Sequence, residues 1–488
     1  MNQPTGGMSR LHRPSHRRLA VLLALLAAFI VYFAIISAGT FRTIRLPPYI
    51  NYYGQLAQGF AEGHTWYPIA VPKWVIKLRD PYDPMANLKF DAYSHDMVLF
   101  HGRLYSYWGP LPALVIWGIA GLFRIPPPAL DDACLVLFFV LGIAAVMAAL
   151  ILRISRRLFP DQPAWLIGLC LAASALATPL LCLLCRPSVY EAAIAGGQFF
   201  LLGGLLCAFV GVDDEPRIGW LAGAGLCWAL ALGCRISLAP AIAVVAMLTI
   251  WRARRRWITA SLGVALPLFA SIFALLAYNQ IRFGSLSEFG LHYQLAGTNQ
   301  HALHSDTILT GRYFVFNVLR YLFSPPLPDR TFPFVDYASY KLAAQRFFHF
   351  PTTYGMERLI GVVWCVPFLR LAFSTMKVKA KEAGGLTQWL CLSLAAAGLL
   401  GIAPCLLIPG STMRYLNDAT PSLCLLASIG LLHKFSTVAP SSRKGLRIGA
   451  IAYVVATIVL GLLIAAASHT YLQFANPSLW RTLHSIRI

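Results

Sequence analysis

Three aspartates and a set of arginines carry most of the chemistry open to this sequence. Asp80 and Asp83 sit in the run Asp80-Pro81-Tyr82-Asp83-Pro84, and Asp96 leads into an aromatic segment at 101–114. A carboxylate within hydrogen-bond reach of a hydroxyl can take its proton as a general base. Asp-Pro steps also make ordinary turns, so Asp80 and Asp83 have a structural reading beside the chemical one. Arg186, Arg235, Arg282, Arg320 and Arg414 stand near the ends of apolar runs. A guanidinium stays charged and binds phosphate through paired, planar hydrogen bonds. At a membrane boundary its partner is a lipid head group, either a specific anionic substrate or an ordinary phospholipid met by snorkelling. Glu191 lies just inside an apolar run, five positions after Arg186, where an acid needs a partner or a function. Asp418 follows Arg414 by four residues, a spacing that pairs them on one face of an α-helix. Arg103 reads equally as a phosphate ligand or as a loop-folding residue.

These residues need a scaffold, and composition says which kind. The 488 residues are 58% hydrophobic and 12% charged, whereas soluble domains carry about 25% charged residues. The chain lacks the charge to cover a water-facing surface, and lipid is the solvent that tolerates its long apolar runs. A net charge of +21 would suit nucleic acid, but the basic residues fall in short blocks between apolar runs. Lys and Arg gather in short cytoplasmic loops, which explains the blocks without a nucleic-acid partner.

With Arg10, Arg13, Arg17 and Arg18 inside, every later block also falls inside if each long run crosses once. Those blocks are Arg153-Arg156-Arg157, Arg252-Arg254-Arg255-Arg256, Lys377-Lys379-Lys381 and Arg443-Lys444-Arg447. The expected fold is an all-α polytopic membrane protein of about eleven transmembrane helices of membrane-spanning length. The spans fall at 19–37, 130–151, 164–181, 190–210, 218–233, 238–251, 260–277, 359–374, 386–407, 421–432 and 448–467. The short run 109–123, which starts among prolines, reads as a helix in or dipping into the outer leaflet. The first span is longer than the roughly 7–15 residues of a signal-peptide core, which favours a retained helix. The chain then divides into a basic cytoplasmic amino terminus (1–18), one transmembrane unit (19–468) and an extracytoplasmic tail (469–488). Two long loops, about 39–129 and 278–356, share the extracytoplasmic face, and unstructured loops beyond about 12–15 residues are uncommon unless functional. They hold or border most of the acids, with Tyr52-Tyr53, Tyr105 and Tyr107-Trp108 among them. Acids, aromatics and arginines together at a membrane surface suit sugar handling, although aromatics also mark the interface belt. The eleven cysteines are mostly apolar filler, and the Cys182/Cys185 pair has no nearby histidines to make a metal site.

Three local patterns, in order, resemble a known superfamily. Tyr52-Tyr53-Gly54-Gln55-Leu56-Ala57 and Gly59-Phe60-Ala61-Glu62-Gly63 follow the first span. His101-Gly102-Arg103-Leu104-Tyr105-Ser106-Tyr107-Trp108-Gly109-Pro110 closes the first loop, and Met413-Arg414-Tyr415-Leu416-Asn417-Asp418 opens a late span. The set resembles the GT-C superfamily of polyprenyl-phosphate-sugar glycosyltransferases, chiefly protein O-mannosyltransferases, lipid A aminoarabinose transferases and bacterial relatives acting on envelope polysaccharides. The resemblance is concentrated in the first half and at Arg414.

It implies a membrane enzyme of a bacterial inner membrane, amino terminus cytoplasmic, moving a hexosyl or pentosyl group with inversion from a polyprenyl-phosphate donor. The acceptor would be an envelope glycan, lipid or protein on the extracytoplasmic face. No metal or other cofactor is obligatory, although the oligosaccharyltransferase branch uses a divalent cation. Tyr52, Tyr53, Arg103, Arg186, Glu191, Arg235, Arg282, Arg414 and Asp418 are the expected substrate-binding set, with Arg414 in the region that lies near the lipid phosphate in relatives.

One departure matters. Family members usually carry an acid a few positions before the Tyr-Tyr pair, as the base, and here Pro47-Pro48-Tyr49-Ile50-Asn51 has none. Asp96 is the expected substitute, followed by Asp80 and Asp83. The missing acid keeps open a non-catalytic relative, and the arginines alone would also suit a transporter or flippase of lipid-linked sugars. Transporters, however, favour internal repeats and midplane charges, which the sequence does not display.

Overall fold

The computed structural model describes residues 13–42, 51–213, 215–302, 310–337, 354–377 and 385–487, without the side chains of 13–15, 91–93 and 178. The acid-free residues 47–50, with Arg10, Asp306, Lys379 and Lys381, lie outside the described residues. Among the described residues the protein is helical apart from three two-stranded ribbons. Six helices are long and apolar enough to cross a membrane: His16–Ile36, Asp132–Arg157, Val189–Gly211, Arg254–Phe283, Leu386–Leu406 and Pro440–Ser468. The pair Ala164–Ala175 and Pro179–Cys185, bent by 48°, makes a seventh if taken as one span. Leu111–Phe123, Ile218–Cys234 and Ile236–Arg252 are shorter apolar helices, and Thr420–Thr437 follows the Arg414 motif. This is an all-α polytopic membrane protein, although length and composition alone support fewer crossings than eleven.

One expected span takes another form. Residues 359–374 fold as a single turn, Val362–Cys365, and a 3-10 stretch, Pro367–Lys377. Pro367 lacks an N–H and bars its predecessor from α geometry, which ends the helix. The stretch packs on Thr420–Thr437, where a Cβ on Gly430 would stand 2.1 Å from the Leu371 carbonyl oxygen. Only a glycine lets the two backbones meet there.

The helices are polar at opposite ends. Asp132–Arg157 begins at Asp132 and ends at Arg156 and Arg157, and 26 residues rise about 39 Å. At the basic end, Arg153 and Arg157 each reach Asp213 at 2.8 Å, just beyond the helix Val189–Gly211. Tyr190, Arg235 and Arg282 sit at the other ends of their helices. The described residues of the basic blocks and the candidate site therefore occupy opposite faces.

Between the first span and Asp132, the chain folds back on the helix tops. Asn51 caps the helix Tyr52–Ala61, its side chain accepting from the Gly54 N–H at 3.0 Å. Asp132 accepts from the N–H groups of Tyr52 and Tyr53 at 3.1 and 2.8 Å, so a buried carboxylate meets the positive end of that helix. The hairpin Val98–Phe100/Arg103–Tyr105 follows. Gly109 then seats the loop on the helix Ile218–Cys234: a Cβ there would lie 2.0 Å from the Gly233 carbonyl oxygen.

Candidate active site

The two long loops are zipped together at Asp96. Its N–H donates to the Leu295 carbonyl at 2.6 Å, and the Leu295 N–H returns to the Met97 carbonyl at 2.8 Å. Asp96 holds a left-handed backbone, φ 62°. That conformation is strained for most L-residues and is commonest in Asp and Asn; such strain clusters at functional sites.

Its carboxylate is oriented from both sides. Tyr190, on the first turn of the helix Val189–Gly211, donates from its hydroxyl to Oδ2 at 2.9 Å. Gln294 donates from Nε2 to Oδ1 at 2.9 Å. Tyr107 donates in turn to the Tyr190 hydroxyl at 3.0 Å, and burial pushes the Tyr107 phenol up, which keeps it a donor. The His95 ring stands 3.7 Å from Oδ2.

The other side of Tyr190 carries a cation. The Arg414 guanidinium lies 4.6 Å above the Tyr190 ring and donates to both Glu357 oxygens at 2.8 and 2.9 Å. Thr412 Oγ1 adds a third bond to Glu357, at 2.9 Å. Arg414 and Arg235 both approach the ring of Tyr415, at 5.5 and 5.2 Å. Arg235 is held by Asp418, its Nε lying 2.9 Å from each carboxylate oxygen. Burial drives the Asp418 carboxyl up, and the guanidinium opposes it.

Two cavities flank this wall. One, about 480 Å³, is walled mainly by apolar side chains including Leu232, Ile236, Leu275 and Phe289, with Tyr107, Arg235 and Arg282 on its polar side. The other, about 800 Å³, is polar, and Glu191, Arg186, Arg358, Glu357 and Arg414 line it.

Against expectation, Asp418 pairs with Arg235 and Arg414 pairs with Glu357. Residues Met413–Asp418 form a 3-10 helix; with three residues per turn, positions four apart no longer face each other. Glu191 accepts from the Ser188 hydroxyl at 2.8 Å and adds to the negative field around Arg414; no hydrogen bond to Arg186 forms. Arg186 is exposed on the polar cavity. Arg282 is 5% exposed, bonded to the Ser106 carbonyl and, at 2.7 Å, to Asn279, with Tyr278 stacked 4.0 Å away. It ties the end of its helix to the first loop. Arg103 is exposed and stacks 3.8 Å from Trp66, a loop-folding contact. Tyr52 donates to the His95 carbonyl at 2.7 Å, beside Asp96, while Tyr53 is buried in the core.

Asp80 and Asp83 close turns: Asp80 accepts from the Tyr82 N–H at 2.9 Å and from Asn299 at 2.7 Å, and Asp83 from the Met85 N–H at 3.0 Å. They line a separate surface hollow with His301. Asp80→Asn is therefore expected to leave activity within about twofold, as for a residue whose bonds shape a turn; initial rates against wild type measure it.

Tyr190, Gln294 and Glu357 are site residues that motif reading passed over. Tyr190 stands beside Glu191, the acid already notable for its depth, and Glu357 borders the second loop, but neither position showed what it faces. Tyr190→Phe keeps the ring beneath Arg414 and removes the bond to Asp96. Loss of a hydrogen bond to a charged group is worth about 1.5–3 kcal/mol, so a fall of roughly 10–100-fold in the rate of a reaction in which Asp96 takes a proton is expected, with substrate binding unchanged, read from kcat and KM. Among the described residues no group of three or more His, Cys, Asp or Glu could hold a metal ion.

Fold and site together define a polytopic helical membrane protein with a carboxylate and paired arginines at one end of its helices. No family model and no curated protein sequence matches the chain. Among solved structures it is similar to ArnT from Cupriavidus metallidurans bound to undecaprenyl phosphate: TM-score 0.48, 12% identity, 94% of this chain and 78% of that one. It is also similar to the oligosaccharyltransferase of Archaeoglobus fulgidus in the apo form: TM-score 0.48, 10% identity, 96% of this chain and 60% of that one. The chain thus spans less than two thirds of the archaeal protein's length.

Proposed function

We propose that this protein is a membrane glycosyltransferase that moves a hexosyl or pentosyl group, with inversion, from a polyprenyl-phosphate donor to an acceptor hydroxyl. The acceptor would be an envelope glycan, lipid or protein on the extracytoplasmic face. The observation that carries the reading is Tyr190: its hydroxyl holds Asp96 and its ring lies under Arg414. One side chain thus sets a base and a phosphate-binding cation at a fixed separation. Asp96 takes the acceptor proton as the hydroxyl oxygen attacks the anomeric carbon. Arg414, with Arg235 beside it, stabilises the charge gathering on the departing phosphate. A phosphate leaves as an anion, so a second protein acid is less needed than in glycoside hydrolysis. The apolar cavity between helices suits the prenyl chain, and the polar one suits sugar and acceptor. The basic blocks on the opposite face support a cytoplasmic amino terminus and a site outside; a bacterial inner membrane is proposed from the resemblance alone.

The test is transfer in proteoliposomes from a panel of radiolabelled polyprenyl-phosphate sugars to a crude envelope acceptor fraction. Wild type should transfer from one donor class, and Arg414→Ala should weaken donor binding about tenfold, as expected for loss of a charge-assisted phosphate contact. Saturable donor binding without transfer from any donor would overturn the enzyme reading in favour of a flippase or a non-catalytic relative.

A further inference from the structure

A carboxylate carried by a loop serves as a base only if something rigid holds it in place. Tyr190 and Gln294 hold the Asp96 side chain, and its backbone is held as well. The peptide that joins His95 to Asp96 is bonded at both ends. Its carbonyl accepts from the Tyr52 hydroxyl at 2.7 Å, and its N–H donates to the Leu295 carbonyl at 2.6 Å. With the peptide plane fixed on one side and the carboxylate on the other, the φ of 62° at Asp96 cannot relax. A left-handed residue other than glycine persists only where its surroundings over-determine it.

Tyr52 is fixed in turn. It opens the helix Tyr52–Ala61 and packs edge-on against Trp108, ring centroids 5.5 Å apart. Asp132 is 0% exposed and takes the N–H groups of Tyr52 and Tyr53, one on each carboxylate oxygen, at 3.1 and 2.8 Å. One buried carboxylate thus satisfies two orphan donors of that helix start and meets its positive end. Asp132 opens the span Asp132–Arg157, and Tyr190 lies on the first turn of Val189–Gly211. Those two helices pack directly: a Cβ on Gly142 would stand 2.7 Å from the Phe199 ring, and the Phe139 and Phe199 rings lie 5.9 Å apart. The backbone support and the side-chain support of Asp96 are therefore both anchored in one helix pair.

We propose that Asp132 and Tyr52 are positioning residues for sugar transfer. Asp132 sets the start of the helix Tyr52–Ala61, and the Tyr52 hydroxyl there holds the His95–Asp96 peptide and so aims the Asp96 carboxylate. The inference rests on Asp96 as the base of the proposed reaction.

The purified full-length protein would be assayed for transfer in proteoliposomes and, separately, for amide hydrogen exchange in detergent. Tyr52→Phe keeps the ring and drops the hydroxyl. It should lower kcat by about three- to tenfold, the effect of one neutral hydrogen bond, with donor and acceptor KM unchanged. Asp132→Asn leaves one acceptor oxygen for two N–H groups and should lower kcat about tenfold. In an Asp96→Asn background each change should alter the residual rate by less than about twofold, because nothing is left to position. Exchange at the Asp96 and Leu295 amides should be several-fold faster in both variants, since the loop there opens more readily. Losses that multiply with that of Asp96→Asn, or exchange equal to wild type at both amides, would overturn the positioning roles. A raised KM with unchanged kcat would overturn them in favour of substrate binding. Exchange is read without substrate, which separates the two levels. Faster exchange together with full transfer by Asp96→Asn would keep the clamp and overturn Asp96 as the base.

Discussion

Asp96→Asn is expected to lower sugar transfer by about 10²–10⁴-fold, the range that general-base catalysis contributes, with folding intact. Asn is nearly isosteric with Asp and shares its tolerance of the left-handed region, so the φ of 62° at this position need not change. An amide oxygen can still accept from Tyr190, and the backbone bonds to Leu295 and from Leu295 to Met97 remain. What disappears is the carboxylate that would hold the acceptor proton. Initial transfer rates in proteoliposomes, with donor binding and thermal melting measured on the same preparations, separate chemistry from folding. A variant that melts like wild type, binds donor normally and transfers at an undiminished rate would remove Asp96 from the mechanism. Glu357, the other carboxylate attached to this wall through Arg414, would be the next residue to test.

The second large effect is on stability. Asp418→Ala should destabilise the protein by about 3–5 kcal/mol, the usual result of stripping one partner from a buried ion pair. The Asp418 side chain is 0% exposed and that of Arg235 13%, so the guanidinium would be left without a counter-charge. Cys405 Sγ, 3.6 Å from Arg235, is a weak acceptor and no substitute. Because Arg235 also lies against Tyr415, its displacement should disturb the Arg414 side of the site. Thermal melting in a fixed detergent measures the loss; replacing both partners with apolar residues of similar volume, Asp418→Leu/Arg235→Met, should recover much of it. A single-variant loss below about 1 kcal/mol would place the pair with solvent-screened ones. That result would contradict the burial seen here.

Some of this was legible in the residues themselves. Low charge with long apolar runs dictates a helical membrane protein, because a backbone in lipid must satisfy its own hydrogen bonds. The spacing of the arginine blocks sorts the helix ends into a basic face and an acid-bearing face, and the structure shows Asp132 and Arg157 at the two ends of one helix. Asp80 and Asp83 carried a turn reading that their hydrogen bonds match.

Tertiary structure decided who meets whom. Asp96 and Tyr190 are 94 positions apart, and Arg235 and Asp418 are 183; no local periodicity relates such pairs, since they meet only when helix tops and returning loops are packed. The Arg414–Asp418 pairing suggested by four-residue spacing fails because the segment winds as a 3-10 helix. The span expected at 359–374 illustrates the same limit: composition reports that a segment prefers lipid, whereas Pro367 and the fit of Leu371 against Gly430 determine the shape it takes there. Sequence alone determined the solvent, the class and the polarity of the helices, because these depend on summed composition. The site depended on structure, because it is built from single contacts between residues remote in the chain.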